Sequence, residues 1–131
     1  MKYLAPFKVL RNSLQLLSVK GQIKVDMSYD DFLTLVKQFL LAVPIDETWY
    51  RATYPDVDQA IRAGAYRSAR HHFVENGYFE GRRPFDLEID EGFYMRRYPD
   101  IQNSVERGVF ASALDHFRRD GYDEGRLPAE L

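Results

Sequence analysis

His72 and His116 are each followed by a phenylalanine and, eight residues on, by the same acidic–basic turn, Glu80-Gly81-Arg82 or Glu124-Gly125-Arg126. An imidazole that titrates near neutrality serves as a general base or a metal ligand. An arginine at a turn can grip a sugar acid or phosphate through paired bonds. One reading is therefore a small enzyme or ligand-binding protein using His72 and His116 with Arg82 and Arg126. The competing reading is structural. Each histidine lies on the apolar stripe of a short helix, and each arginine has carboxylates close in sequence that can fix the turn.

The elements that must position these residues come from an internal repeat. Residues 46–84 align with 90–128 at a constant offset of 44 without a gap, and 17 of the 39 positions are identical. Asp46 suits a helix N-cap, and the helix it opens should end near Tyr54, because Pro55 disfavours helical geometry in the residue before it. Pro55 then fits the first turn of a second helix carrying Val57, Ala60 and Ile61 on one face, which stops at Gly64. Ser68 should cap a third helix with an inward stripe of Ala69, His72, Phe73 and Asn76, ended by Gly77, with a closing turn at Gly81. The second copy repeats this plan. Asp56 and Asp100 fall in helix first turns, where an acid complements the dipole. Neither belongs to a calcium loop, which needs a spaced series of oxygen ligands.

The skeleton W/F-Y-x3-Y-P-D-V/I followed by G-x3-S-A-x2-H-F-x3-G-Y-x-E-G-R-x-P resembles a short repeat of bacterial proteins found with glycosyltransferases and other polysaccharide or cell-surface proteins. The resemblance rests on Tyr50, Pro55, Asp56, His72, Gly77, Glu80, Gly81, Arg82 and Pro84, and on Tyr94, Pro99, Asp100, His116, Gly121, Glu124, Gly125, Arg126 and Pro128. It implies an accessory module and no catalytic residue.

Ahead of the repeats, Ser28 with Asp31 opens the clearest helix of the chain, with Phe32, Leu35, Val36, Phe39, Leu40 and Val43 at helical spacing up to Pro44. Phe7, Leu10, Leu14 and Leu17 suggest a second amphipathic helix, and residues 20–27 a short extended segment. These residues 1–45 are expected to cap an apolar face that two repeats alone leave open. The fold class expected is all-α: one domain over 1–131, with two three-helix repeats behind an N-terminal helical extension.

Composition narrows the function. The chain has 131 residues, no cysteine and a net charge of −2, which excludes disulfides, thiol nucleophiles and cysteine-based metal sites. Residues 1–25 carry Lys2, Lys8, Arg11, Lys20 and Lys24 with no acid, a local +5, so the remainder sums to −7. An acidic body disfavours nucleic acid. The basic segment, residues 1–24 in particular, suits an anionic membrane, an acidic partner or the chain's own acidic body. Leu4 to Val19 is interrupted by Pro6, Lys8, Arg11, Asn12 and Gln15, unlike a secretory signal, and the cytoplasm is the expected location. No phosphate-binding loop, nucleophile elbow or metalloprotease motif occurs, and no metal or cofactor is expected.

Where the copies diverge, a duplicated scaffold can vary its surface. Val74-Glu75 becomes Arg118-Arg119, Phe79 becomes Asp123, and Arg51 becomes Met95. Val74, Phe79, Phe85 and Met95, with Arg82 and Arg126, are the candidate interaction surface. A non-catalytic interaction or scaffold module with a protein partner is thus the leading expectation. A homodimer is expected if the N-terminal apolar helix is not buried within the chain.

Overall fold

The computed structural model describes residues 2–131. The chain is mostly helical, with one two-stranded antiparallel sheet among the described residues. It divides into two compact units, Met1–Asp86 and Leu87–Leu131.

The first unit departs from the all-α expectation near its start. Helix α1, Phe7–Asn12, ends where the Ser13 hydroxyl donates to the Leu10 carbonyl at 2.6 Å, a local bond that competes with further helix. Strands β1, Gln15–Val19, and β2, Gln22–Asp26, follow as a hairpin. Leu14 and Leu17 are therefore not helical. The extended expectation for residues 20–27 holds for Gln22–Asp26. Lys20 and Gly21 form the two-residue turn with φ of 51° and 77°, the doubly positive geometry whose twist suits a hairpin. Helix α2, Tyr29–Leu40, starts as expected, with the Ser28 hydroxyl accepting from the Asp31 N–H at 3.1 Å.

In the first copy, α3 spans Glu47–Thr53 and α4 spans Pro55–Arg62. The Asp46 carboxylate accepts from the Trp49 N–H, and Tyr54 leaves the helical region, at φ −120° and ψ 78°, ahead of Pro55, where proline sterics disfavour helical geometry. The third helix is shorter than its apolar stripe suggests. Helix α5 covers only Ala69–His72 before the backbone widens into a π-helical turn, Phe73–Gly77, closed by the Tyr78 N–H on the Phe73 carbonyl. Such widened turns are uncommon and frequently mark functional sites. Gly77 is not a left-handed terminator. It lies flat against α3, where a Cβ would collide with the Tyr50 hydroxyl. Gly64 and Gly81 do take positive φ, 84° and 79°.

The first core is Leu40, Tyr50, Val57, Ala69, Phe73 and Val74, with Val36, Val43, Ile45, Trp49, Tyr54 and Ile61 packed around it. Helix α2 thus lays one face on the first copy, and its Lys37 bonds Glu75 at 2.9 Å. The segment closes on itself through the Asp46 N–H and the Pro84 carbonyl at 3.0 Å.

The second unit contains α6, Glu91–Arg97, α7, Pro99–Glu106, and α8, Ala113–His116, which opens into a π turn over Phe117–Gly121. Its core is Leu87, Tyr94, Ile101, Ala113 and Phe117. It closes through the Asp90 N–H and the Pro128 carbonyl at 2.9 Å.

Candidate functional site

Tyr50 sits on the inner face of α3, and His72 ends the single turn of α5. The two side chains meet in the first core, with the tyrosine hydroxyl 2.8 Å from Nδ1 of His72. Position 77 in the widened turn that follows is a glycine, and the hydroxyl occupies the space a side chain would need. Tyr50 is fully buried and His72 is 4% exposed. Burial raises the Tyr50 hydroxyl above its ordinary range, so it stays protonated and can donate. Burial lowers the His72 pKa below 6.5, although Glu80 pulls it upward. Nε2 of His72 lies 3.9 Å from the Glu80 carboxylate, and the Tyr66 ring stands edge-on to the imidazole at 4.7 Å.

Arg82 forms the outer layer. Its terminal nitrogens hold both oxygens of Asp56 at 3.0 and 2.7 Å, and its Nε holds Glu80 at 3.0 Å. The guanidinium stacks over the Tyr54 ring at 4.8 Å, and the Tyr54 hydroxyl accepts from the Arg83 N–H. This two-pronged bond holds the Asp56 carboxyl below the usual carboxylate range.

The second unit builds the same two layers. Tyr94 meets Nδ1 of His116 at 2.9 Å, and burial pushes its hydroxyl up to about 12. Nε2 of His116 lies 3.9 Å from Glu124, and the Phe110 ring replaces that of Tyr66 at 4.8 Å. Arg126 holds Asp100 at 3.3 and 3.1 Å and Glu124 at 2.6 Å, above the Tyr98 ring. Gly121 carries the same constraint, facing the Tyr94 hydroxyl.

No family model matches this chain, and no characterised protein or solved structure does either.

A general base needs a free nitrogen on an accessible surface. Here Nδ1 of each histidine is bonded to a tyrosine, Nε2 faces a glutamate, and both rings are buried. The groups at Arg82 and Arg126 that would recognise an anion are already filled by two carboxylates each. Among the described residues, no three acidic or histidine side chains converge as a metal site.

The candidate interaction residues part company. Val74 is not on the surface: it is 6% exposed and belongs to the first core, where α2 covers it. Met95 packs partly buried against the second core. Phe79 and Phe85 are exposed, and Phe79 stands edge-on to the exposed Tyr78. A cleft of about 840 Å3, absent from the expected sites, opens elsewhere in the first unit. Leu10 and Ser13 of the α1 end, Leu14 and Met27 flanking the hairpin, and Asp31 and Leu35 of α2 line it. The sequence signal for that region was Lys20-Gly21 between two partly alternating apolar runs, a two-residue hairpin pattern.

Proposed function

We propose that this chain is a non-catalytic interaction or scaffold module made of two helical repeats, acting in the cytoplasm on a protein partner. The observation that carries the reading is that both copies commit the same reactive groups to the same internal bonds. Tyr50–His72 and Tyr94–His116 lock the core, and Arg82–Asp56 and Arg126–Asp100 lock the closing turn. A site shared by two copies in every partner is a building rule of the fold, which a specific reaction does not require. Apart from position 74, which is core in the first copy, differences fall on the outside: Tyr78 and Phe79 are exposed in the first copy, where the second has Tyr122 packed on its core and Asp123 in solvent. The absence of any helix long and apolar enough to cross a membrane among the described residues accords with this. Resemblance of the repeat to accessory modules of bacterial polysaccharide and envelope systems supplies the biological setting of the proposal.

Photo-crosslinking in the native cell tests it. A crosslinker at position 79 should trap one defined protein, and one at position 123 should not. The same adducts from both positions contradict the reading. A transfer or hydrolytic activity lost in a folded His72→Gln chain would favour an enzyme instead.

A further inference from the structure

The hairpin β1–β2 is the least supported element of the chain. All ten of its residues are exposed, although a lone two-stranded hairpin is marginal in water. Its register places Leu16 opposite Val25 and Ser18 opposite Ile23 on one face, and Leu17 opposite Lys24 and Val19 opposite Gln22 on the other. Apolar side chains therefore stand out on both faces, with Ile23 at 73% and Val25 at 49% on one, and Leu17 at 40% and Val19 at 39% on the other. A protein partner lying on the sheet covers one face and leaves the other wet. A fluid apolar medium covers both.

The charges specify which medium. Lys20 sits in the turn itself and Lys24 two residues along β2 from its start, while Asp26 lies at the opposite end of the hairpin, beside α2. Lys2, Lys8 and Arg11 precede the hairpin, next to the exposed Tyr3, Leu4 and Phe7. All five cations are exposed, and among the described residues none forms an ion pair. The acidic remainder of the chain does not neutralise them. Two copies meeting through this segment would bring five positive charges against five, which opposes a symmetric dimer.

We propose that the hairpin tip, with Leu17, Val19, Lys20, Ile23 and Lys24, inserts shallowly into an anionic lipid surface. The apolar side chains enter the boundary between headgroups and acyl chains, and the lysines extend along them to the phosphates. The outer edges of β1 and β2 keep the insertion shallow, because unpaired backbone groups are not tolerated in the hydrocarbon. This inference does not depend on the protein partner proposed above.

Cosedimentation of the full chain with vesicles tests it. The chain should pellet with phosphatidylcholine vesicles that contain phosphatidylserine and stay in solution with phosphatidylcholine alone. The double variant Lys20→Glu, Lys24→Glu changes only exposed side chains, and it should bind about tenfold more weakly or worse. Its circular dichroism and Trp49 fluorescence should match the parent. Ile23→Ser should weaken binding at unchanged charge. Absence of binding to anionic vesicles, or equal binding of the charge-reversed variant, overturns the proposal. A concentration-dependent dimer that Ile23→Ser abolishes also overturns it, and assigns the hairpin to a second copy.

Discussion

In the first copy the backbone carbonyl of Val43 accepts from Arg70 at 2.9 Å; 44 residues on, the carbonyl of Leu87 accepts from Arg118 at 3.3 Å. Arg118 aligns with Val74, and Leu114 aligns with Arg70. The same carbonyl is thus served in both copies, by an arginine from a different turn of the third helix. The exchange is linked to what lies outside. In the first copy α2 lies across the π turn, and position 74 must be apolar to join Leu40 in the core. In the second, position 118 is exposed and can carry the guanidinium. A duplicated unit keeps its backbone hydrogen bonds, because buried polar groups left unpaired are costly, and it relocates the side chains that make them.

The sharpest way to break this comparison is to move one residue across. Val74→Arg should destabilise the first unit by about 3 kcal/mol or more, because it forces a charge under α2. Arg118→Val should cost about 1 kcal/mol, the order of a typical hydrogen bond, because its bond to the Leu87 carbonyl is only partly buried. Trp49, the only tryptophan, reports urea unfolding of the first unit, and circular dichroism reports the whole chain. Equal losses from the two variants would remove the distinction between a covered and an open copy.

The next test asks what the copies share. Gly77→Ala and Gly121→Ala each place a methyl group against a buried tyrosine hydroxyl, and overpacking of this kind costs about 2 kcal/mol. The two losses should agree within about 0.5 kcal/mol, since the sites are separate and alike. Tyr50→Phe and Tyr94→Phe remove the hydroxyl and leave a histidine nitrogen without its bond, for about 1–2 kcal/mol each in urea melts. A large asymmetry in either pair would mean that only one copy depends on this layer.

Much of this was legible in sequence for a physical reason. Caps and prolines act within three or four residues, so Asp46, Ser68, Ser28 and Pro55 announce their roles locally. The pairs Tyr50/Tyr94 and Phe73/Phe117, aligned without a gap at an offset of 44, both fall in the cores. The π turn was not legible: Ala69, His72, Phe73 and Asn76 have helical spacing, and the Tyr50 hydroxyl packed against the widened turn comes from 22 residues before His72. Nor was the reason for Gly77, which lies in a contact across the core rather than in its own dihedral angles. Val74 looked like surface because Arg118 replaces it, and only the packing of α2 reverses that inference. The spacing of Leu10, Leu14 and Leu17 suited a helix, but the Ser13 bond ends α1 at Asn12 and the Lys20-Gly21 turn sets Leu17 in a strand.

Acid titration separates the two layers with the smallest effects. Burial lowers the His72 pKa from the ordinary 6.5, so between that value and the folded pKa the unfolded chain binds more protons than the folded one. Stability of the first unit is therefore full above neutrality and declines as pH falls through 6.5. The outer layer has its own window. The Asp56 and Asp100 carboxyls are held below the ordinary 3.8 by their arginines, so their contribution is present above about pH 4 and is lost as pH falls through the lowered values. Both carboxylates are mostly exposed, and solvent screening limits each pair to under about 1 kcal/mol. Unfolding at stepped pH, followed by Trp49 fluorescence, should show a first decline below pH 6.5 that His72→Gln removes and Asp56→Asn leaves. Below pH 4 the roles reverse: Asp56→Asn should flatten the slope that His72→Gln retains. If one variant flattens both windows, the imidazole and the Arg82 pair are a single coupled network and do not form separable layers.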